Sequence, residues 1–269
     1  MKGIKSVQVS MLALLLMAGI LWGQEIPAPT NLVTIPTAGT LQRGQYEFDV
    51  LMQTGGGILG RLGIGLSDRF SLGMSYGIQQ FIGDEQPKIN RKMPEAQLKF
   101  RIYDESYKMP ALALGLETQG RGLFHEDMPV VSGEDTLTVA RYDIKAIGLY
   151  LVASKNWNIL GNFGSHFGIC KNFLEEDETD KDINFFFGVD KDLSPGISAF
   201  IEYNAALDDN DYDYDEISFG QGRGYLNAGI RLNVAASLYM EVDFNDILTN
   251  KGEVKYLSRE VKVVYNEFF

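Results

Sequence analysis

The sequence predicts an all-β fold, namely a single antiparallel transmembrane β-barrel of about twelve strands with short periplasmic turns and longer outer loops. Three observations lead to this fold class. Apolar and polar residues alternate with period two through most of residues 45–269. The connections between the alternating segments are short and long in turn. No helix-length apolar run follows residue 23, so a membrane crossing would have to use strands.

The composition excludes several classes of protein. The 269 residues carry a formal net charge of -12, which argues against a nucleic-acid partner, because such partners need a basic surface. Cys170 is the single cysteine, so neither an internal disulfide nor a cysteine-based metal site is expected. Hydrophobic residues make up 45% of the chain, yet the mean hydropathy is only -0.09. This combination favours alternation over long apolar runs.

The first element is a predicted secretory signal peptide over residues 1–23. Lys2 and Lys5 precede a short apolar stretch over residues 11–22, and the small Gly23 follows it. The stretch is shorter than the roughly 20 residues that a membrane-spanning helix needs. The alternative is an uncleaved anchor helix.

Residues 24–44 form the second element, an extended N-terminal segment. Pro27, Pro29 and Pro36 oppose regular structure within it. This segment lies either in the periplasm or inside the mouth of the barrel. The barrel itself is predicted to occupy residues 45–269.

Each barrel strand is predicted from its alternation. The first, YEFDVLM, sets aromatic and apolar residues against Glu47, Asp49 and Leu51. The segment over 142–154 is less regular, since its second half is apolar on both faces. The predicted strands occupy residues 46–52, 58–66, 70–78, 96–103, 111–119, 142–154, 158–170, 183–190, 196–205, 226–232, 238–246 and 259–269.

The connections give the barrel its expected orientation. Short turns are predicted at 67–69, 104–110, 155–157, 191–196 and 233–237, and long polar connections at 79–94, 120–140, 172–182, 207–223 and 248–258. Short periplasmic turns and longer outer loops are typical of bacterial membrane barrels. Only the glycine-rich turn at 54–57 is short where this alternation predicts a long loop.

A soluble β-sandwich or lipocalin-like barrel is the alternative, because its strands also alternate. The membrane interpretation is favoured since the face opposite the apolar one is rich in Gly, Ser and Asn as well as charges. Tyrosines also lie near predicted strand ends, where an interfacial girdle belongs. They are Tyr46, Tyr76, Tyr103, Tyr203 and Tyr265.

The last segment, REVKVVYNEFF, places Val261, Val263, Tyr265 and Phe269 on one face. It resembles the C-terminal assembly signal of bacterial outer-membrane β-barrel proteins, although Glu267 stands where that signal is usually apolar. The resemblance implies a bacterial outer-membrane location, with outer-membrane lipid and the barrel assembly machinery as partners. We expect this strand to pair with the first one, because an open sheet edge is not tolerated in lipid.

A second resemblance covers residues 34–77, with TIPTAGTLQRGQYEFD followed by GGGILGRLGIGLSDRFSLGMSYG. This stretch is similar to the start of YjbH-like barrels, which are associated with exopolysaccharide secretion. It carries no catalytic motif. The resemblance implies a role in polymer export or envelope biogenesis, with envelope or polysaccharide-export partners.

Candidate metal and catalytic sites are few, and no cofactor is expected. The acidic stretch over 208–216, DDNDYDYDE, lacks the glycine and the twelfth-position acid of an EF-hand. It is either a solvated loop or a weak cation site, and 175–182 is similar. His125 lies beside Glu126 and Asp127, an arrangement that a hydrolase at the outer rim could use. His166 cannot pair with its neighbour Ser165, because adjacent strand residues face opposite ways, so it is predicted to be a lumen residue.

The predicted lumen face carries charges of both signs. Arg61, Lys99 and Arg101 are expected to face inward, since a cation on the lipid face would cost roughly 2–4 kcal/mol at mid-bilayer. The charges either form an ion-pair network that fills a closed lumen or line a selective constriction. The counter-charges expected for the three cations are Glu47, Asp49, Glu241 and Asp243. The full predicted set is Glu47, Asp49, Arg61, Lys99, Arg101, Glu117, Asp143, Lys145, Glu202, Arg231, Glu241, Asp243 and Lys262.

Three functional hypotheses follow from the sequence. The first is a non-enzymatic barrel that serves envelope structure or transport, as a narrow channel or a polymer-export component. The second is a closed structural or surface-binding barrel. The third is an outer-membrane hydrolase, for which only His125 and its acidic neighbours argue.

Overall fold

A computed structural model describes residues 29–84, 86–132, 135–175, 182–209, 212–214, 217–248 and 258–269. The predicted signal peptide and residues 24–28 lie outside the described residues. Parts of the two acidic stretches also lie outside the described residues. They are residues 176–181 of the stretch over 175–182, and residues 210, 211, 215 and 216 of the stretch over 208–216.

The described chain is built from β-strands, with a single 3₁₀ turn at Thr54–Gly56. The strands are β1 (Gln45–Gln53), β2 (Gly57–Ser67), β3 (Phe70–Gln79), β4 (Lys88–Ile89), β5 (Glu95–Tyr103), β6 (Ala111–Glu117), β7 (Arg121–Ser132), β8 (Asp135–Ile144), β9 (Gly148–Asn158), β10 (Asn162–Lys171), β11 (Asn184–Ser194), β12 (Ile197–Asn204), β13 (Tyr212–Tyr214), β14 (Ile217–Phe219), β15 (Tyr225–Ala235), β16 (Leu238–Asn245) and β17 (Ser258–Phe268).

Twelve of these strands close into one antiparallel barrel, which confirms the predicted fold. Their order around the barrel is β1, β2, β3, β5, β6, β9, β10, β11, β12, β15, β16 and β17, and β17 pairs back onto β1. In that closing pair Phe48 lies opposite Tyr265 and Val50 opposite Val263. The remaining strands are short or form hairpins outside the barrel wall, as β7 and β8 do.

The two ends of the barrel differ in the length of their connections. At one end, here called the periplasmic end, residues 68–69, 104–110, 159–161, 195–196 and 236–237 join neighbouring strands. At the other, here called the outer end, longer connections span 80–94, 118–147, 172–183, 205–224 and 246–257. The short turn at Thr54–Gly56 also belongs to the outer end. This is the predicted alternation.

Several predicted boundaries were wrong. The segment over 142–154 is not one strand: β8 ends at Ile144 and β9 begins at Gly148, whose φ of 73° interrupts an extended chain. The connection over 120–140 contains most of the β7–β8 hairpin. The turn predicted at 155–157 lies at 159–161, where Leu160 has a φ of 51°. β11 and β15 run further into their turns than expected, through shifts of register near Asp192 and Asn233.

The barrel is apolar outside and polar inside, the reverse of a soluble barrel. Large apolar side chains on its outer face are exposed, and they include Phe48, Leu62, Met74, Leu98, Phe100, Leu114, Phe167, Phe187, Ile201, Ile230 and Met240. Inward-facing side chains on the same strands are mostly polar and buried. An apolar belt of this extent belongs in lipid, as in transmembrane barrels. No helix among the described residues is long and apolar enough to cross a membrane.

Candidate functional site

Residues 29–44, here called the plug, lie inside the barrel except at their C-terminal end, where Gln42 and Arg43 are exposed at the periplasmic rim. Their apolar side chains Leu32, Val33, Ile35 and Ala38 are almost completely buried. The tip of the plug, residues 31–36, folds back on itself through a hydrogen bond from Leu32 N to Ile35 O of 3.0 Å and a bridge between Asn31 and Pro36. The described part of the N-terminal segment is therefore a lumen element, the second of the two placements that the sequence allowed.

The plug tip is held by the carboxylate of Glu202 on β12. Its Oε2 accepts hydrogen bonds from Val33 N at 2.9 Å and Ile35 N at 3.2 Å. Its Oε1 accepts from Thr34 N at 2.8 Å, from the Thr34 hydroxyl at 2.5 Å and from Asn227 Nδ2 at 2.8 Å. One buried carboxylate thus accepts hydrogen bonds from three consecutive backbone amides.

Two cations bind the carbonyl groups of the plug. Lys99 Nζ lies 2.6 Å from Thr30 O, and Arg121 Nη2 lies 2.6 Å from Val33 O. Arg121 also forms an ion pair with Glu260 on the opposite wall. The sequence predicted that Lys99 would be matched by Glu47, Asp49, Glu241 or Asp243. Its hydrogen bonds instead go to the plug, which periodicity within the strands could not indicate.

One side of the lumen wall is apolar where it packs against the plug. Leu32, Ile35 and Ala38 share a buried cluster with Phe186, Phe200 and other side chains of β6, β9, β10, β11 and β12. Gly188 gives the plug room here, since a Cβ at that position would lie 2.5 Å from Leu32 Cδ1 and would force that side chain to shift. The two-sided apolar character of residues 142–154 was the sequence signal for this wall, because the inner face of β9 meets the plug.

Ser154, His166 and Asp190 form a hydrogen-bonded chain on three adjacent strands. His166 Nδ1 lies 2.8 Å from Ser154 Oγ, and His166 Nε2 lies 2.7 Å from Asp190 Oδ1. The backbone amide of Ala38 in turn donates to Ser154 Oγ at 2.8 Å. The residue types are those of a hydrolytic triad, but the serine oxygen is buried and in contact with the plug, where a substrate carbonyl would have to approach. The chain of bonds instead fixes the plug to the wall.

The opposite wall carries the buried charges. Arg231 Nε lies 2.6 Å from Glu241 Oε1, and Lys262 forms an ion pair with the same carboxylate. Glu47 accepts a hydrogen bond from Tyr239 Oη at 3.0 Å. Asp243 is fully buried, and neither of its oxygens has a hydrogen-bond partner among the described residues. These groups form a compact network that fills this side of the lumen.

The remaining predicted lumen charges lie in three different places. Arg61 on β2 is directly opposite Asp49 on β1 in the register, and Glu117 is buried on β6. Arg101 has the inward position on β5, but it lies at the periplasmic rim. There it contacts Asp68 O at 2.7 Å and Asp104 Oδ1 at 3.1 Å, not the counter-charges that the sequence suggested.

Asp143 and Lys145 are outside the barrel wall, in and after β8, which corrects their predicted place on a wall strand. Lys145 Nζ donates to Asp208 O at 2.9 Å. Asp143 Oδ1 lies 2.9 Å from His125 Nε2, so His125 has a carboxylate partner other than its sequence neighbours Glu126 and Asp127. Periodicity alone could not separate this hairpin from a wall strand.

The β7–β8 hairpin is tied to the outer loops by buried polar contacts. Arg141 forms a two-pronged ion pair with Asp209, with Nη–Oδ distances of 2.5 and 3.0 Å. Glu175 accepts hydrogen bonds from Tyr142 N and Ala146 N, both at 2.8 Å. Burial raises the pKa of the Glu175 carboxyl to about 7, although these amides and the nearby Arg141 and Lys145 favour its charged form.

At the periplasmic end, Phe269 and Tyr46 form a stacked aromatic pair with ring centroids 5.3 Å apart. Phe269 N also donates to Gly44 O at 2.9 Å. Tyr265 is exposed on the outer face, while Val261 and Val263 on the same face are partly exposed. No group of three or more His, Cys, Asp or Glu side chains within the described ranges could hold a metal ion.

Comparisons with known proteins identify no family. No protein-family model and no curated protein matches the sequence. Among solved structures, the chain is similar to KdgM porin, with a TM-score of 0.44 and 9% identity over 84% of this chain and 99% of that one. For NanC porin the TM-score is 0.42 and the identity is 10%, over 83% of this chain and 99% of that one. For an outer membrane channel from Pseudomonas putida F1 the TM-score is 0.41 and the identity is 11%, over 86% of this chain and 98% of that one. The fold assignment rests on the strand pairing described above.

Proposed function

We propose that this chain is a non-enzymatic β-barrel of the bacterial outer membrane that serves transport, and that the plug closes it at rest. The observation that carries the proposal is the attachment of the plug tip to Glu202, Lys99 and Arg121 across the lumen. A plug that is held by polar contacts to a fixed wall can be released without unfolding that wall. The apolar outer belt and the unequal ends support the membrane location and orientation.

The lipid of the outer membrane is then the partner of the outer face. The barrel assembly machinery is the partner implied by the last strand, with Val261, Val263, Tyr265 and Phe269. Polymer export is a narrower form of the proposal, which the resemblance of residues 34–77 to YjbH-like barrels supports. In that case envelope or polysaccharide-export partners would act on the plug.

A permanently closed structural or surface-binding barrel is the second candidate. The buried network of Arg231, Glu241 and Lys262 favours it, because such ion pairs are costly to break once they are removed from water. A hydrolase is disfavoured, since the plug contacts Ser154 where a substrate would have to approach.

Conductance of the full chain in planar bilayers separates the two candidates. We expect wild type to conduct little and a variant with Leu32, Val33 and Ile35 all replaced by serine to conduct steadily, because the plug tip loses its apolar burial. Leu32→Met, which keeps that burial, is the matched control and should stay closed. Heat-modifiable migration on gels verifies that every variant forms a barrel.

A large, steady wild-type conductance would contradict closure by the plug. Closure by the plug would also be contradicted if the triple variant did not conduct although its plug had left the lumen. Plug release is measured by thiol labelling of Ala38→Cys in a Cys170→Ser background. Rapid labelling without conductance would favour the permanently closed barrel.

A further inference from the structure

A cavity of about 290 Å³ lies between the plug tip and the outer end of the barrel. Thr34 of the plug lines its inner side, and Arg121, Gly122, Asp143 and Ile144 of the β7–β8 hairpin line another. Its volume is close to the lower end of the roughly 300–1,000 Å³ that is usual for small-molecule sites. The cavity has room for one small ring.

The barrel side of the cavity is a continuous polar arc. The five strands β1, β17, β16, β15 and β12 are neighbours in the wall, and each contributes an inward-facing polar side chain near its outer end. In wall order these side chains are Gln53, Glu260, Asn245, Asn227 and Asn204. Four of the five are carboxamides, which carry a donor and an acceptor in one planar group.

Part of this hydrogen-bonding capacity is unused within the described structure. Asn245 Oδ1 is buried and has no partner there, which is unfavourable unless a donor reaches it. The side-chain oxygens of Gln53 and Asn204 accept bonds of 2.7 Å from Gln79 and Asn184. Their amide nitrogens make no hydrogen bond to the described residues. The arc therefore offers both donors and an acceptor to a ligand.

The charges around the cavity determine which ligands are compatible with it. Arg121 is already paired with Glu260, and Asp143 and Asp246 add two further carboxylates. Three carboxylates beside one guanidinium make this lining unfavourable for an anion. Ile144 and the ring of Tyr225 supply apolar carbon surface beside the amides.

We propose that this cavity binds a neutral polyhydroxylated ring of monosaccharide size. Each hydroxyl group donates and accepts hydrogen bonds, so such a ring offers partners to the amide nitrogens of Gln53 and Asn204, and to Asn245 Oδ1 once that amide turns toward the cavity. The C–H faces of the ring match the apolar surface of Ile144 and Tyr225. Thr34 and Arg121 belong both to this site and to the contacts that close the lumen, but binding at the site is measured without conductance.

Calorimetric titration of the refolded full chain tests the site directly. The detergent should be an amine oxide, since sugar-headed detergents would compete. The probes are glucose, galactose, mannose and myo-inositol, with glucuronate as the anionic counterpart of glucose. We expect saturable binding of at least one neutral probe. Where glucose binds, glucuronate should bind at least tenfold more weakly.

Asn245→Ala should weaken that binding at least tenfold, while Asn158→Ala, which removes an exposed amide at the periplasmic end, should leave it unchanged. If Asn245→Ala does not fold, Gln53→Ala serves in its place. The proposal is overturned if no neutral probe binds, if glucuronate binds as tightly as glucose, or if the amide variant binds like wild type. None of these results would affect the transport proposal, which depends on conductance.

Discussion

The carboxylate of Glu202 accepts a hydrogen bond of 2.9 Å from the backbone amide of Val33, although 169 residues separate the two in the sequence. This contact joins the N-terminal plug to the strand β12 in the middle of the wall. Hydrogen bonds to a charged group contribute about 1.5–3 kcal/mol each. Because Glu202 receives several of them, it is the wall residue on which the position of the plug tip depends most.

Replacing Glu202 should therefore release the plug. We expect Glu202→Ala to raise the steady conductance of the barrel severalfold, since three plug amides lose their acceptor. Glu202→Gln should have a smaller effect, because its amide keeps one acceptor oxygen but loses the charge. Glu126→Ala removes an exposed carboxylate of β7 and is the control. Equal conductance in wild type and Glu202→Ala would show that other contacts hold the plug.

The outer end should respond to pH through Glu175. Its pKa in the folded protein, about 7, lies above its ordinary value of 4.5 because of burial. The folded hairpin base therefore favours the protonated carboxyl. The contribution of Glu175 to the stability of the hairpin base is complete below pH 4.5 and is lost as the pH rises through 7. Burial also raises the pKa of the nearby Asp208 to about 6, which acts in the same direction. The hairpin base should be held more firmly at pH 5 than at pH 8.

Amide hydrogen exchange measures this effect at Tyr142 and Ala146, whose amides bond to Glu175. After correction for intrinsic rates, we expect their protection to fall at least tenfold from pH 5 to pH 8, since one pKa unit is worth about 1.4 kcal/mol. Glu175→Gln mimics the neutral carboxyl and should show a much flatter profile. If the protection of these two amides rose with pH, the protonated form of Glu175 would not be the one that stabilises the hairpin base.

Sequence periodicity was sufficient for the barrel because each strand has one face in lipid and one in the lumen. The alternation along β1 or β17 indicates which residues face lipid and which face the lumen. The pairing of the first and last strands follows from the free-energy cost of an open sheet edge in lipid. The same reasoning failed for residues 142–154. Both faces of β9 are apolar there, since its inner face packs on the plug, so the end of one strand and the start of the next could not be told apart.

The contents of the lumen depended on contacts that no local pattern encodes. Leu32, Val33 and Ile35 lie between prolines, and only the folded barrel shows that they are buried. Lys99 was correctly treated as a polar group to be matched, but its partner is a carbonyl of the plug. Ser154 and His166 are twelve residues apart on neighbouring strands, so their hydrogen bond requires the register of β9 and β10.

Ser154 should be chemically inert despite its contact with His166. Its oxygen already accepts a hydrogen bond from Ala38 N, and the plug lies where an acyl group would approach. We expect no labelling of the full chain by a fluorophosphonate probe, either in wild type or in the Ser154→Ala variant. Labelling that disappears only in Ser154→Ala would identify a nucleophile and revive the hydrolase hypothesis.

The last prediction concerns barrel closure. The ring of Phe269 stacks on Tyr46 with centroids 5.3 Å apart, and its backbone amide bonds to Gly44 O. These contacts join β17 to the start of β1 at the periplasmic end of the barrel seam. An aromatic pair contributes about 0.5–1.5 kcal/mol beyond its buried area, so Phe269→Ser should lower the folded, membrane-inserted fraction measured as heat-modifiable protein. Phe173→Ser, which changes an exposed phenylalanine of an outer connection, should assemble normally. If both variants assembled alike, the seam would be held by the β1–β17 backbone ladder without help from its aromatic end.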